Sequence, residues 1–268
     1  MREIMSLLLL YLAYVVIGSI AGILGGLLGI GGGIITVPCF LYLFHLLGYP
    51  QGDIMHMAVA TSLAAMVFST SAATWAHNRK KNVLWGVFFK MVPGLSIGSV
   101  LGAIIAIWLS GVLLEVFFGI FLCLLACRFY SQKPVEHEHH KLPSITILSF
   151  FAACIGALSN LLGIGGGSLT VPLLSTYKVS DKKAIGTAAA TTLFTTLLGT
   201  AAYLLLSWHL TPIPGNMGLI NTLAFLIVGL TAFVVAPLGV KLTHQLPSLK
   251  IRKIFAIVLA LTGVSLIF

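Results

Sequence analysis

Two glycine-rich stretches of this sequence carry residue types that can bind an anion through the backbone. The sequence GIGGG at residues 29–33 is followed by TVP at residues 36–38, and both motifs return at residues 163–167 and 170–172. Because glycine has no side chain, an oxyanion can approach the backbone N–H groups of such a stretch closely. The residues predicted to bind an anion in this way are Gly29, Gly31, Gly32, Gly33 and Thr36 in the first stretch and Gly163, Gly165, Gly166 and Gly167 in the second.

Each glycine stretch is predicted to be a loop between two helices. A glycine cluster inside an apolar run interrupts a helix, because glycine loses more backbone entropy there than other residues do. The run at residues 34–47 reaches only about 21 Å as a helix, and the run at 168–177 is shorter. Both are too short to cross about 30 Å of hydrocarbon. We therefore expect both loops to lie at depth in a membrane, where the start of each short helix presents unpaired N–H groups and a positive dipole end.

A second interpretation of the glycines is that they only permit close helix packing. We expect this role for Gly94, Gly98 and Gly102, whose spacing of four places them on one helix face. The duplication of the GIGGG motif and the short helices after it favour the anion-binding interpretation for the two loops.

Polar side chains on the neighbouring apolar runs are the next candidates. A spacing of four places Thr187 and Thr191 on one helix face, together with Thr195. Asn160 and Ser168 flank the second glycine stretch and can donate hydrogen bonds directly. The alternative is that the hydroxyls bond to carbonyl groups of their own or neighbouring helices. The side chains predicted to bind substrate are Thr61, Ser62, Asn160, Ser168, Thr187, Thr191 and Thr192.

The remaining reactive side chains indicate no catalytic or metal site. The six acidic residues lie near the ends of apolar runs or in loops, whereas a cation carrier would normally need a carboxylate at mid-membrane depth. The sequence EHEHH at residues 136–140 has metal-capable side chains, but we expect it to be solvated in a polar linker. The cysteines lie in apolar runs and indicate no disulfide framework. We therefore expect a protein that is not an enzyme and has no cofactor.

The composition is that of a polytopic membrane protein. Hydrophobic residues make up 59% of the chain and charged residues 8%, and the mean hydropathy is +1.09. The formal net charge of +9 does not indicate nucleic acid binding, because the basic residues lie in short loops between apolar runs. The predicted membrane runs are residues 4–28, 54–76, 83–109, 112–130, 144–162, 184–207, 217–240 and 251–268.

The chain is a tandem duplication joined by a polar linker. Besides the glycine stretches, ATSL at residues 60–63 matches ATTL at 190–193, and LG at 101–102 matches LG at 238–239. These matches divide the chain into three parts. They are a first repeat at residues 1–130, a cytoplasmic linker at 131–143 and a second repeat at 144–268.

Basic residues alternate between equivalent loops of the two repeats. RKK at residues 79–81 has no basic counterpart at 209–216, whereas the lysines between 178 and 183 match a basic-free stretch at 48–53. If the N-terminus is outside and each glycine hairpin enters and leaves on one side, all Lys and Arg except Arg2 and Lys90 are cytoplasmic. The positive-inside rule then favours inverted repeats. The predicted fold is an all-α polytopic membrane protein with two inverted repeats, each a glycine-broken helical hairpin followed by three transmembrane helices.

The GIGGG and TVP motifs, together with GTAAATT at residues 186–192, resemble the TauE/SafE family of sulfite and organosulfonate exporters. The resemblance covers essentially the whole chain. It implies export of small sulfur-containing or carboxylate anions through the cytoplasmic membrane of a prokaryote, driven by an ion gradient. The first repeat has ATS at residues 60–62 without the preceding GT of the second, so we expect the two halves to contribute hydroxyl groups unequally.

We interpret the sequence as a secondary transporter of the inner membrane that exports a small anion by alternating access. The anion is predicted to bind near the midplane, between the facing starts of the two short helices. Expected partners are the anion, the lipid bilayer, a coupling proton or sodium ion and a second copy in a homodimer, with no nucleic acid. The alternatives are a passive anion channel with the same site and a membrane enzyme or receptor that does not transport.

Overall fold

The computed structural model describes residues 2–131, 143–208, 215–242 and 248–267. Within these ranges the chain forms ten α-helices and a short β-hairpin, in which β1 (Asn216–Met217) pairs antiparallel with β2 (Ile220–Asn221). The EHEHH sequence and most of the predicted linker lie outside the described residues. The helices are α1 (Arg2–Leu28), α2 (Gly33–Leu46), α3 (Gln51–Arg79), α4 (Trp85–Trp108), α5 (Gly111–Ser131), α6 (Ile145–Leu162), α7 (Gly167–Thr176), α8 (Asp181–Ser207), α9 (Thr222–Leu242) and α10 (Ser248–Ile267).

The helices confirm an all-α, polytopic membrane protein. Seven helices in the described part of the chain are long and apolar enough to cross a membrane, namely α1, α3, α4, α5, α6, α8 and α9. The eighth predicted run, residues 251–268, coincides with α10. The two short helices predicted at residues 34–47 and 168–177 are α2 and α7, and each begins and ends within one residue of the prediction.

Charged side chains lie at the ends of the membrane-spanning helices. Asp53 and Asp181 lie in the first turns of α3 and α8, where the positive end of the helix dipole stabilises a carboxylate. Arg79 and Lys241 lie in the last turns of α3 and α9, where the negative end stabilises a cation. The apolar residues between these ends can therefore span a bilayer without an ionised group at its centre.

Helix α1 of the first half packs in parallel on α9 of the second half. The close approach needs glycine, because a Cβ at each contact would collide with the backbone of α9. Gly239, in the last turn of α9, contacts Ile23 and Leu27, so α1 extends to the end of its partner helix before the first glycine loop begins. The paired positions in order are Gly18 with Val228, Gly22 with Ala232 and Gly26 with Ala236.

Helices α4 and α6 form the corresponding pair between the halves. Their axes are also parallel, and the contacts confirm the packing role predicted for the three glycines of α4. A helix that precedes a glycine loop in one half thus packs on the fourth helix of the other half. The paired positions are Gly94 with Ser149, Gly98 with Ala153 and Gly102 with Ala157.

Helices α3 and α8 lie side by side at the centre and run in opposite directions. Near the start of α8, Gly186 packs against Asn82, which follows the end of α3. At the other end, the backbone N–H of Asn221, the last residue of β2, donates to the Thr61 hydroxyl in the first half of α3 over 2.9 Å. Helix α2 packs on α3, and α7 packs on α8. These contacts place both glycine loops against the central pair.

Candidate functional site at the paired glycine loops

Both glycine loops use the left-handed backbone region at equivalent positions. In the first loop, residues 29–32, the φ angles of Gly29, Gly31 and Gly32 are 70°, 77° and 91°. In the second loop, residues 163–166, the angles at Gly163, Gly165 and Gly166 are 72°, 75° and 78°. Residues with a Cβ rarely adopt this region. The backbone conformation of both loops therefore favours glycine at these positions, whether or not the glycines also bind a ligand.

The two loops contact each other reciprocally. A Cβ at Gly33, the first residue of α2, would lie 2.6 Å from the carbonyl oxygen of Gly163. A Cβ at Gly167, the first residue of α7, would collide with the carbonyl oxygen of Gly29. Each short helix therefore begins against the loop of the other half. The structure brings together all eight glycines predicted to bind an anion.

The loops lie beside the middle of the two central helices. Gly31 packs against Thr70 and Met66 of α3 and Thr192 of α8, and Gly165 packs against Thr192 and Met66. Neither α2 nor α7 has a side-chain cap at its start. Several backbone N–H groups of the first turns bond to loop carbonyl oxygens, such as Thr36 to Gly32 and Gly167 to Gly165. The start of each helix also carries a positive dipole end.

Several predicted hydroxyls hold the loops in place. The Ser62 hydroxyl of α3 donates to the carbonyl oxygen of Gly163 over 3.0 Å and contacts the Thr36 hydroxyl at 2.7 Å. The Thr192 hydroxyl of α8 bonds to the carbonyl oxygen of Gly29 at 3.4 Å. Each central helix therefore bonds to the glycine loop of the other half.

Other predicted hydroxyls connect helices. The Thr61 hydroxyl accepts from the backbone N–H of Asn221, and the Thr187 hydroxyl accepts from that of Leu84 over 3.0 Å. The Thr191 hydroxyl donates to the Thr170 hydroxyl over 3.2 Å. These three hydroxyls therefore bond to groups of neighbouring loops and helices, as the structural interpretation of the hydroxyls predicts.

Four buried atoms on α4, α6 and α7 have no hydrogen-bond partner within the described residues. We call the four residues that carry them the second-loop polar cluster, and each is 0% exposed. A buried polar atom without a partner costs about 1–3 kcal/mol. Such atoms are uncommon in native structures and are able to bond to a ligand. They are Ser99 Oγ of α4, Ser159 Oγ and Asn160 Oδ1 of α6, and Ser168 Oγ of α7.

Ser159 and Ser168 join this cluster to the second loop, whereas Asn160 Oδ1 faces Gly199 of α8 and Ser99 Oγ faces Gly156 of α6. A Cβ at Gly166 would lie 3.1 Å from Ser159 Oγ and 3.4 Å from the Thr195 hydroxyl oxygen. The side-chain amide of Asn160 donates to the carbonyl oxygen of Ser99 over 3.1 Å. Ser168 is the second residue of α7 and lies in its first turn, directly after the second loop.

Three of the four cluster residues belong to the second half, on α6 and α7, and have no polar counterpart in the first half, whereas Ser99 lies on α4 of the first half. The repeats align Ser159 with Gly25, Asn160 with Gly26 and Ser168 with Ile34. Asn160 and Ser168 were predicted from the sequence, whereas Ser99 and Ser159 were not. The difference between Ser159 and its glycine counterpart was visible in the repeat alignment. Ser99 was missed because the sequence does not show whether its side chain is buried or exposed on α4.

The described residues contain no group of three or more His, Cys, Asp or Glu side chains that could hold a metal ion. The four cysteines are free. Among the described side chains, no Lys, Arg, Asp or Glu is buried. The chemistry available at the paired loops is therefore hydrogen bonding by hydroxyl, amide and backbone groups, together with the two helix dipoles.

Broken helices from a duplicated chain that meet at the centre of a helical bundle define a multi-pass membrane protein of the transporter class. The sequence matches the family described as "Sulfite exporter TauE/SafE" over residues 14–266. The chain belongs to the TauE/SafE family. No solved structure matches it.

Three relatives, each described as a "Probable membrane transporter protein", illustrate the similarity. A protein of Haemophilus influenzae is 29% identical over 256 residues, which cover 93% of this chain and 95% of the relative. A protein of Methanocaldococcus jannaschii is 26% identical over 96% of this chain and 95% of its own length. A protein of Xylella fastidiosa is 32% identical over 71% of this chain and 74% of its own length. The membrane-transport class of this chain follows from these matches and from its helices.

Proposed function

We propose that this protein is a secondary transporter that exports a small anion, such as sulfite, a sulfonate or a short carboxylate, from a prokaryotic cell by alternating access. The anion binds where α2 and α7 begin, and the second-loop polar cluster supplies side-chain donors. The observation that carries the proposal is the set of three buried hydroxyls without partners among the described residues, those of Ser99, Ser159 and Ser168. A ligand that accepts hydrogen bonds would satisfy the three hydroxyls and would remove their desolvation cost.

The charges of the described part of the chain support an anion rather than a cation. No carboxylate is buried among the described side chains, although a cation in a membrane normally needs one. Two helix starts lie at the loops and each contributes a positive partial charge, and the ends of α1 and α6 at the same loops contribute negative ones. The site therefore has hydroxyl donors but no buried negative side chain among the described residues.

The packing directions support inverted repeats and alternating access. Parallel repeats would place equivalent helices in the same direction, whereas α3 and α8 run in opposite directions. The basic residues at 79–81 and 178–183 then lie on one face of the bundle, as the positive-inside rule requires. The paired loops lie where the halves meet, so a rocking motion of one half against the other would change access to them. The coupling ion and the homodimer stay predictions.

Binding of sulfur anions to the purified protein tests the proposal first. Thermal unfolding is measured with sulfite, sulfate, thiosulfate, sulfoacetate, taurine and short carboxylates, and with Na⁺ and K⁺ salts of one inert anion. A ligand that binds only the folded state at a hundred times its Kd stabilises that state by about 2.7 kcal/mol. We expect a sulfur anion to raise the melting temperature of the wild type. We expect no such rise in Ser159→Ala.

Ser69→Ala is the matched control, because Ser69 is also buried but its hydroxyl donates to the carbonyl oxygen of Gly31 over 2.9 Å. This variant should keep the anion response. A response to a cation or a neutral solute alone would contradict the proposal. Flux of the stabilising anion into proteoliposomes separates the alternatives. Saturation with exchange between internal and external anion indicates a transporter, linear flux indicates a channel, and binding without flux indicates a receptor or an enzyme.

A further inference from the structure

A cavity of about 680 Å³ lies where four helix ends of the two halves meet, away from the second-loop polar cluster. Its lining comes from the end of α2, the starts of α3 and α5, and the end of α10. Arg79 lies at the opposite end of α3. The cavity therefore opens on the face of the bundle opposite the basic residues 79–81, which is the outer face in the inverted arrangement proposed above.

A second cavity, of about 320 Å³, adjoins the first and lies deeper in the bundle. The two cavities share Pro38, Tyr42 and Thr262 in their linings. The deeper one reaches Ile34 in the first turn of α2 and Val258 in the middle of α10. Together the two cavities form a continuous groove between α2 and α10, which we call the α2–α10 groove.

The groove exists because its two walls are held by different helices. Helix α2 packs on α3, whereas α10 packs on α5. The contact between α5 and α10 is close, since a Cβ at Gly119 would lie 2.9 Å from the carbonyl oxygen of Gly263. Helix α10 is thus fixed on α5, and the space beside α2 stays open.

The polarity of the groove changes with depth as that of a phospholipid does. The deeper cavity has a mainly aliphatic lining and lies beside the middle of α10, where the hydrocarbon of a bilayer would be. Polar side chains gather in the cavity at the outer face, where lipid headgroups would be. These polar residues are His45, Gln51, Ser110, Glu115, Thr262 and Ser265.

The charge at the mouth of the groove favours a cationic headgroup. Glu115 is half-buried and precedes Gly119 by four positions, so it lies on the face of α5 that packs on α10. Its electrostatic partner is His45 in the last turn of α2, which is exposed. Among the described residues, no Lys or Arg lines either cavity. A carboxylate in a membrane-spanning segment needs a partner, and an ammonium group would supply one, whereas an anionic headgroup would be repelled.

We propose that the α2–α10 groove binds one phospholipid whose headgroup carries an ammonium group. The ammonium group pairs with Glu115, and an acyl chain lies between Ile34 and Val258. A helix of a second copy of this chain does not fit in the same way, because a helix is about 10 Å wide and a volume of 320 Å³ holds only about three of its residues. This inference goes beyond the proposed function and does not depend on which solute is transported. The bound lipid would connect α2 of the first half to α10 of the second.

Titration of the purified protein with two lipids tests the headgroup. Binding of dioleoylphosphatidylethanolamine and of dioleoylphosphatidylglycerol is measured in detergent by native mass spectrometry, which counts the lipids bound per chain. We expect one phosphatidylethanolamine per chain, bound at least about tenfold more tightly than phosphatidylglycerol. Glu115→Gln should remove this preference. Asp53→Asn is the matched control, because it also removes a carboxylate at this face but Asp53 does not line the groove, and it should keep the preference.

A pair of tryptophan variants tests the acyl-chain part of the groove. Val258 is 49% exposed and lines the deeper cavity, whereas Val264 is 51% exposed on the same helix and lines neither cavity. Val258→Trp should fill the groove and lower the affinity for phosphatidylethanolamine by at least about tenfold. Val264→Trp should leave this affinity unchanged.

Several results would overturn the inference. Phosphatidylglycerol could bind as tightly as phosphatidylethanolamine, Glu115→Gln could keep the preference, or both tryptophan variants could lose affinity equally. Conversion of a dimer to a monomer by Val258→Trp, with lipid binding unchanged, would show that a second copy covers the groove. None of these results affects the response to anions. A wild type that binds phosphatidylethanolamine as expected but responds to no anion would contradict the proposed function alone.

Discussion

Ser168→Ala is the substitution that best separates a role in binding from a role in folding. Ser168 lies in the first turn of α7, is 0% exposed, and its hydroxyl has no partner among the described residues. A buried hydroxyl without a partner costs about 1–3 kcal/mol. Removal of this group from the ligand-free protein should therefore raise the free energy of unfolding by about 1 kcal/mol. The same change should remove a donor from the anion site.

Ser69→Ala provides the comparison at the first loop. Ser69 is 2% exposed, and its hydroxyl donates to the carbonyl oxygens of Gly31 at 2.9 Å and Met66 at 3.1 Å. Loss of this hydroxyl leaves the Gly31 carbonyl without that donor and should lower the free energy of unfolding by about 1 kcal/mol. The same substitution is thus expected to have opposite effects at two buried serines near equivalent loops.

The assay is thermal unfolding of both variants in detergent, first without and then with the anion that stabilises the wild type. Ser168→Ala should melt at a higher temperature than the wild type without anion and should gain less from the anion. Ser69→Ala should melt at a lower temperature but keep the full gain. If Ser168→Ala is destabilised as much as Ser69→Ala and keeps its anion response, the hydroxyl has a structural role and the assignment of the cluster is wrong.

Three further predictions concern the loops, the topology and the cluster. Gly167→Ala should lower the free energy of unfolding by about 1–3 kcal/mol, because the new Cβ collides with the carbonyl oxygen of Gly29. Gly86→Ala is the control, because a Cβ at Gly86 has nothing within 4 Å, and it should leave the melting temperature unchanged or raise it. An equal loss of stability in both variants would argue against contact between the loops. Single cysteines are placed at the exposed residues Lys81 and Met217 in a protein without its native cysteines. They should react with an impermeant reagent from opposite faces of oriented vesicles, and labelling of both from one face would refute inverted repeats. Tyr203→Phe removes a 3.1 Å bond to the carbonyl oxygen of Asn160 and should cost about 1 kcal/mol in thermal unfolding, and an unchanged melting temperature would show that this bond contributes nothing.

The sequence by itself determined the helices and their interruptions. Run length and hydropathy identify spanning helices because hydrocarbon thickness fixes the number of residues needed. Glycine clusters identify the breaks because the entropic cost of glycine in a helix is a local property. The starts of α2, at Gly33, and of α7, at Gly167, therefore lie within one residue of the predicted starts. The duplication followed directly from the repeated motifs.

Helix pairing was only partly visible in the sequence. The spacing of Gly94, Gly98 and Gly102 predicted close packing, and the structure confirmed it. The partner of these glycines could not be predicted, since a small face accepts any helix that presents a matching surface. The structure shows that α4 packs on α6 of the other half and that α1 packs on α9, which brings the two glycine loops into contact.

The state of each polar group was decided by the tertiary structure alone. Thr61, Thr187 and Asn160 look alike as polar residues in apolar runs, yet two of the three bond to distant backbone N–H groups and the third has an unpartnered oxygen. Whether a hydroxyl has a hydrogen-bond partner depends on the groups that neighbouring helices place beside it. These groups can be distant in sequence, as for Thr187 and Leu84, which are 103 residues apart. The sequence therefore fixes which residues can bond to an anion, and the packing of the two halves decides which of them are free to do so.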